Sequence, residues 1–153
     1  MIAILFCGGC TAAGATQPKA TFRQLKGGGF AASSSASPQV VLAHDADAYL
    51  RIWNVLIGAG VPPDVDFARE TAVFLLDRQR PTGGYSLEPR SVAVEGDTAV
   101  VKVTTHAPKR GSMTSQVLTT PFAVIALSRT GIGAARWVDA DHGTVVAESA
   151  KKP

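Results

Sequence analysis

Two short apolar runs constrain the fold of this chain more than any other feature of its sequence. The segments Thr71–Leu76 and Phe122–Leu127 carry apolar residues at odd and even positions alike. Because the side chains of a strand point alternately to its two faces, strands of this kind need cover on both faces. The runs therefore predict two central strands in a β-rich domain.

A single amphipathic helix is predicted before the first run. Residues 44–47 supply an N-cap and an acidic first turn, and Gly58, Gly60 and Pro62 end the pattern. The aromatic residues of this helix are expected to pack in the core rather than to bind a ligand. The apolar residues recur at helical spacing: Tyr49, Ile52, Trp53, Leu56 and Ile57.

Shorter strands are predicted from alternating patterns elsewhere in the chain. Residues 85–94, bent at Pro89, and residues 99–106 flank a tight turn and form the clearest hairpin. With one helix among about seven strands, the fold class is mainly β or α+β, an antiparallel sheet or sandwich with one packed amphipathic helix. Weaker strands are expected at 21–25, 39–43, 135–138 and 144–147, the last two as a hairpin.

Composition limits the chain to one domain of ordinary size. Its 153 residues are 46% hydrophobic and 18% charged, as in globular proteins. The net charge of +3 comes from scattered residues, which gives little support to nucleic-acid binding. The predicted organisation is a leader and tether over residues 1–20, a β-rich domain over 21–129, and a C-terminal extension over 130–153.

The N-terminal residues predict export. An apolar run precedes Cys7 and Cys10, the two cysteines of the chain, and small residues follow them. Gly9-Cys10 resembles the end of a bacterial lipobox, which favours a lipoprotein lipidated at Cys10. Cleavage of a signal peptide after Ala15 and an uncleaved N-terminus are the alternatives, whereas a redox or zinc role for the cysteine pair lacks a helix-start setting. The expected location is the periplasm or outer cell envelope, with membrane contact only through a lipid anchor.

Residue types suited to catalysis or metal binding form no recognisable motif. There is no G-x-S-x-G, and His44, His106 and His142 are widely separated in the sequence. Asp139 and Asp141 beside His142 are more typical of a solvated turn than of a cation site. We expect no catalytic residue, no metal, no cofactor and no enzymatic activity. A hydrolase built on His106 or His142 is kept as a further hypothesis.

The Pro-Thr-Gly-Gly-Tyr segment at residues 81–85 is the most distinctive candidate binding site. Its proline fixes φ, and its glycines permit positive φ and close approach of the backbone. We predict a rigid hairpin connection whose tip is presented to a protein partner. The predicted partner-binding residues are Pro81, Thr82, Gly83, Gly84 and Tyr85. The Gly/Ser-rich residues 27–38 are instead predicted to form a flexible loop.

A series of motifs resembles the PrcB C-terminal domain family, named after a lipoprotein subunit of a spirochaete surface protease complex. The resemblance spans residues 21–127 and implies an exported, non-enzymatic domain that binds and stabilises a protease or another envelope protein. The motifs are Trp53, residues 63–67 (Pro-Asp-Val-Asp-Phe), Thr71–Leu76, residues 81–86, Pro108 and residues 119–122 (Thr-Thr-Pro-Phe).

The 81–85 loop is also similar to the Asn-Pro-Thr-Thr-Gly-Tyr loop of chagasin-like inhibitors of cysteine peptidases. Arg80 stands in place of the Asn, and Gly83 replaces a Thr. Residues 120–122, Thr-Pro-Phe, are a loose counterpart of the downstream Arg-Pro-Trp motif of those inhibitors. Inhibition of a peptidase by insertion of the loop into its cleft is therefore the alternative function.

Overall fold

The computed structural model describes residues 19–150, which form nine β-strands and one α-helix. The predicted lipidation site Cys10 and the cleavage site after Ala15 lie outside the described residues. The helix, α1, is Ala46–Leu56. The strands are β1 Lys19–Ala20, β2 Phe22–Gly28, β3 Gln39–Ala43, β4 Thr71–Leu76, β5 Ser86–Glu95, β6 Thr98–His106, β7 Phe122–Leu127, β8 Ala134–Asp139 and β9 Val145–Glu148.

The strands form two sheets that pack face to face. Sheet 1 has five strands in the order β1-β5-β6-β8-β9, and sheet 2 has four in the order β2-β7-β4-β3. The described strand pairs are antiparallel except for β6 with β8, which run parallel. The predicted fold class, a mainly β sandwich with one packed helix, is confirmed.

Strands β4 and β7 pair with each other at the centre of sheet 2, and both are buried along their whole length. Their alternate residues enter two separate cores. The first core fills the space between the sheets and includes Val73, Ile125 and Trp137. The second lies between sheet 2 and α1 and includes Phe74 and Trp53. The cover that the apolar runs require on each face is thus sheet 1 on one side and α1 on the other.

The helix begins and ends where its local sequence predicts. The side chain of Asp45 caps it by accepting a hydrogen bond from the backbone N–H of Ala48 at 2.7 Å. Gly58, with φ of +72°, takes the left-handed conformation that favours glycine at the C-terminal end. The Tyr49 hydroxyl donates to the backbone oxygen of Pro63 at 3.1 Å, which fixes the chain that leads from α1 towards β4.

The C-terminal residues complete the sandwich. Strands β8 and β9 form the predicted hairpin, but β8 also pairs with β6, and Trp137 is only 1% exposed in the core between the sheets. Residues 134–148, which the sequence pattern places in an extension, are therefore part of the same domain. The parallel pairing is a correction to the expected antiparallel sheet: the chain leaves sheet 1 after β6, forms β7 in sheet 2 and returns to β6 in the same direction.

Two further boundaries differ from the predicted ones. Lys19 and Ala20, assigned to the tether, pair as β1 with β5. Strand β2 runs to Gly28 because residues 26–28 continue its pairing with β7 after a register shift, so the loop that follows is shorter than predicted. No helix among residues 19–150 has the length and apolar character needed to cross a membrane.

Candidate protein-binding surface

The 81–85 loop connects the two sheets instead of closing a hairpin. It follows β4, which belongs to sheet 2, and precedes β5, which belongs to sheet 1. The predicted hairpin is wrong because β4 and β5 are not paired with each other: β4 pairs with β3 and β7, and β5 with β1 and β6. The loop therefore lies at one end of the sandwich, between its two layers.

An ion pair holds the base of this loop. Arg80 donates from Nε and Nη2 to Oδ2 of Asp77 at 2.7 and 2.6 Å, and the Asp77 side chain is only 3% exposed. The Arg80 guanidinium also lies 4.9 Å from the centroid of the Tyr85 ring, a distance typical of a cation–π contact. The same arginine thus joins the residues on either side of the glycines.

The connection between β6 and β7, residues 107–121, holds the loop from the side. Arg80 and Thr119 exchange two backbone hydrogen bonds of 2.7 and 3.0 Å, and the Thr119 hydroxyl donates to the backbone oxygen of Thr82 at 2.8 Å. The backbone N–H of Gly83 donates to the oxygen of Ser115 at 2.9 Å. Four hydrogen bonds between this loop and the 107–121 connection fix the loop backbone, so it is preorganised.

The five predicted binding residues are brought together but differ in exposure. Pro81 and Gly84 are exposed, Thr82 and Tyr85 are half-buried, and Gly83 is buried. The surface that a partner can reach is therefore a ridge formed chiefly by the first and fourth residues of the loop.

The two glycines of the loop differ in why a residue without a side chain suits each position. A Cβ atom at Gly83 would lie 2.3 Å from the hydroxyl oxygen of Ser115, so glycine permits the close approach of the two segments. Gly84 has φ of +87°, and a Cβ there would lie 2.9 Å from Cβ of Pro108. The positive φ makes glycine necessary at Gly84, whereas at Gly83 a side chain would require the Ser115 hydroxyl to rotate away; neither feature depends on a partner.

Exposed apolar side chains lie on the segments that adjoin the ridge, and sequence reasoning did not single them out. Met113, Val117 and Leu118 lie on the 107–121 connection and are 103%, 53% and 60% exposed. Phe30, 62% exposed, is bridged to Thr120, the residue after the one that holds the loop. We call these four residues the apolar rim. Their signal in the sequence was weak, because isolated apolar residues in a loop show no periodicity.

His106, one of the two histidines of the hydrolase hypothesis, lies in an exposed surface contact. His106 Nε2 lies 2.6 Å from Oε2 of Glu88, and Arg90 donates to the same carboxylate at 2.9 Å. The hydrogen bond to His106 is the main cause that lowers the pKa of Glu88. These side chains project from β5 and β6 and are about half exposed, so no cleft encloses them.

The side chain of Asp139 accepts hydrogen bonds from within the turn between β8 and β9. Oδ1 of Asp139 accepts from the backbone N–H groups of Asp141 and His142 at 2.9 and 2.8 Å and lies 3.0 Å from His142 Nδ1. The backbone hydrogen bond from His142 is the main cause that lowers the pKa of Asp139. Among residues 19–150 no group of three or more His, Cys, Asp or Glu side chains is placed to hold a metal ion.

The Thr-Pro-Phe segment at residues 120–122 is buried. Thr120 and Phe122 are each 4% exposed, and Phe122 packs in the core beneath α1. This segment offers no second exposed loop of the kind that the chagasin-like alternative expects. Lys109 and Arg110, by contrast, are exposed in the connection that holds the ridge.

A family model described as PrcB C-terminal matches residues 71–128 of the chain. The matched segment runs from β4 to the end of β7 and contains the ridge, the 107–121 connection and three of the four residues of the apolar rim. The predicted resemblance to this family is confirmed over that segment, which is shorter than the expected residues 21–127. No curated protein and no solved structure matches the chain.

Proposed function

We propose, from the PrcB C-terminal character of residues 71–128, that the chain is an exported, non-enzymatic protein-binding domain that serves as a subunit or stabiliser of a protease complex. The observation that carries this proposal is the ridge at residues 81–85, which is fixed by hydrogen bonds and bordered by exposed apolar side chains. A lipid anchor at Cys10 would hold the domain at the cell envelope.

The fixed backbone of the ridge favours binding because little conformational freedom is left to lose. Ordering a mobile loop at an interface opposes association, and a preorganised loop avoids most of that cost. The ridge presents exposed backbone at Pro81 and Gly84, and the rim adds four apolar side chains that a partner would remove from water. Exposed apolar residues on neighbouring segments are a feature of protein interfaces when they form one patch.

The charges near the ridge favour an acidic partner surface. Lys109 and Arg110 are exposed in the same connection as Met113. Charged residues at the border of an interface chiefly raise the rate of association and make it sensitive to salt. We therefore expect these two residues to affect how fast the partner binds more than how tightly it is held.

The chagasin-like alternative uses the same ridge but a different partner site, the cleft of a peptidase. It is the weaker proposal because the Thr-Pro-Phe segment at 120–122 is buried and contributes no second loop. A stabilising subunit needs one persistent contact surface, which the ridge and rim together supply.

Site-specific crosslinking in native cell envelopes tests the proposal. A photo-crosslinking amino acid at Met113, the most exposed residue of the rim, is expected to capture an exported protease. The same amino acid at Lys102, exposed on the outer face of sheet 1, is the matched control and should capture much less of it. The mature N-terminus, read by mass spectrometry from the same material, reports whether Cys10 carries lipid.

Three outcomes would contradict the proposal. Equal capture from both positions would show that the ridge and rim are not the contact surface. Inhibition of cysteine peptidases by the purified chain at micromolar concentration, lost when Gly83 and Tyr85 are replaced, would favour the inhibitor instead. Hydrolytic turnover lost on His106→Ala or His142→Ala would contradict the expectation that the chain is not an enzyme.

A further inference from the structure

We propose that β3 is a second binding site, at which an extended acidic and apolar peptide segment of a partner protein adds as a further strand to sheet 2. The site lies on the side of the sandwich, apart from the ridge and rim. It uses different residues, so it stands or falls independently of the function proposed above.

The first argument is the edge of β3 that pairs with no other strand among residues 19–150. This strand is the last in sheet 2 and pairs through its other edge with β4 over all five residues. In an antiparallel pair, alternate residues direct their N–H and C=O groups away from the partner strand. Those outward groups have fixed positions along an extended backbone, and another extended backbone is the ligand that matches them.

The second argument is that β3 lacks the protection seen at the other edges. Proteins block pairing at edge strands with charges, bulges or very short strands. Strand β2, the opposite edge of sheet 2, carries Arg23 and Lys26 and a register shift between its residues 24 and 26. In sheet 1, β1 has two residues, and β9 has four and carries Glu148. Strand β3, Gln-Val-Val-Leu-Ala, has no charge, no proline and an unbroken register.

The third argument is that a groove flanks this edge on each face of the sheet. On the helix side a groove of about 220 Å³ lies between Val41 and α1, where Ile52 and Val55 line it and Val55 is 69% exposed. On the side of sheet 1 a cleft of about 300 Å³ lies beside Leu42 and is also lined by Ser149, the residue after the end of β9. Successive side chains of an added strand point to opposite faces, so they would enter the two grooves in turn.

The charges of the grooves indicate the chemistry of the peptide. Arg51 is the charged residue among those that line the helix-side groove, and His44 is the titratable residue among those that line the cleft. None of the described residues lining either groove is acidic. A peptide with apolar residues at alternate positions and a carboxylate beside Arg51 fits both the shape and the charge of the site.

Peptide selection followed by matched substitutions tests this proposal. Random dodecapeptides displayed on phage are selected on the full chain, and the enriched sequences are made as synthetic peptides. We expect alternate apolar residues with an acidic residue among them. Val55→Glu should weaken binding of these peptides by about tenfold or more, since it places a charge in the apolar groove. Leu50→Glu, an exposed change on the opposite flank of α1, is the control and should alter binding by less than about twofold.

Two further measurements keep the test independent of any folding defect in the Val55 variant. Arg51→Gln, an exposed change, should weaken binding of the acidic peptides by about two- to fivefold at low salt. In nuclear magnetic resonance spectra of the wild-type chain, the peptide should shift the amides of β3 and α1 and slow the hydrogen exchange of alternate β3 amides. Both outcomes are expected only if the peptide lies along this edge.

Several results would overturn the proposal. One is that the selected peptides bind the Val55→Glu variant as tightly as the wild-type chain. Another is that they shift only the amide signals of residues 81–85 and the apolar rim. Failure to enrich any peptide counts against it equally. A dimer of the chain that Val55→Glu dissolves would show that a second copy, rather than a partner peptide, occupies the edge.

Discussion

The two tryptophan residues differ in whether the indole nitrogen of a buried side chain has a hydrogen-bond partner, and this should change how much each contributes to stability. Trp53 and Trp137 are each 1% exposed, one in each core. Trp53 donates from Nε1 to the backbone oxygen of Gly60 at 3.3 Å, whereas Nε1 of Trp137 is buried without a hydrogen-bond partner among the described residues.

We expect Trp53→Phe to lower the free energy of unfolding by about 1 kcal/mol more than Trp137→Phe does. Both changes remove a similar volume, but only the first breaks a hydrogen bond and leaves the oxygen of Gly60 without it. Urea denaturation of the two variants measures the difference. Equal losses would show that the Trp53 hydrogen bond contributes nothing to stability.

Gly84 and Gly111 provide a second matched pair of residues. Both have positive φ, +87° and +79°, but a Cβ at Gly84 would meet Pro108 at 2.9 Å, whereas a Cβ at Gly111 would meet nothing within 4 Å.

Gly111→Ala should cost about 1–2 kcal/mol of stability from backbone strain alone. Gly84→Ala should cost more, because the strain and the contact with Pro108 add, and it should also weaken capture of the partner at Met113. Thermal or urea unfolding gives the two costs. An Ala at position 84 that is tolerated better than one at 111 would contradict the described packing of the ridge.

At the scale of elements, a charged contact joins the edge strand β2 to the segment that enters β4. Arg23 donates from Nε and Nη2 to the two carboxylate oxygens of Glu70, each at 2.9 Å, and Nη2 also donates to the backbone oxygen of Asp64. The hydrogen bond from Arg23 is the main cause that lowers the pKa of Glu70 below its unfolded value of 4.5.

This contact should make stability depend on pH in the acid range. A group whose pKa is lowered by folding stabilises the fold above its unfolded pKa, and that contribution is lost as the pH falls through the folded value. The wild-type chain should therefore be more stable than Glu70→Gln at neutral pH, and the difference should shrink as the pH falls below about 4.5.

Urea denaturation of both proteins at a series of pH values measures this difference. Glu88→Gln is the comparison variant, since Glu88 is also hydrogen-bonded but lies in an exposed contact that solvent screens. It should change stability less than Glu70→Gln does. A difference between wild type and Glu70→Gln that stays constant with pH would contradict the assigned role of the Arg23 contact.

The elements that the sequence predicted best are those whose signals are local. The bounds of β3, β4 and β7 were predicted to the residue, because their apolar runs end at polar or turn residues, and α1 follows from its cap and spacing. The division of strands between two sheets and the parallel pairing of β6 with β8 depend on contacts distant in sequence, which periodicity does not report.

The candidate site was likewise predictable only where its signal lies within one short segment. The 81–85 loop carries a local signal in its proline and glycines, and the structure places those five residues together. The burial of Gly83 against Ser115 and the position of Phe30 beside the 107–121 connection arise from tertiary contacts. Neither follows from a pattern within one segment.

At the scale of the whole molecule, the domain depends on its last strands. Strand β8 provides Trp137 and Ala135 to the core between the sheets and covers the edge of β6, and β9 in turn pairs with β8. The family match ends at residue 128 and so leaves out these two strands, although they belong to the same sandwich.

A chain that ends at Arg129 should fail to unfold cooperatively, because it lacks two strands of sheet 1 and exposes part of the core. A chain that ends at residue 150 is the control, since it keeps every described strand. Calorimetry of the two proteins decides the point. A cooperative transition in the shorter chain would show that residues 130–150 are an appendage.

The placement of one indole on either side of sheet 2 also equips the protein with two natural optical reporters. The Phe variants described above each leave a single tryptophan, one for each layer, which can be excited selectively over the tyrosines. Strands β4 and β7 contribute residues to both cores, so we expect the two layers to unfold together. The tryptophan fluorescence of each variant is followed during urea unfolding and plotted against the urea concentration relative to that variant's midpoint. The two curves should then coincide.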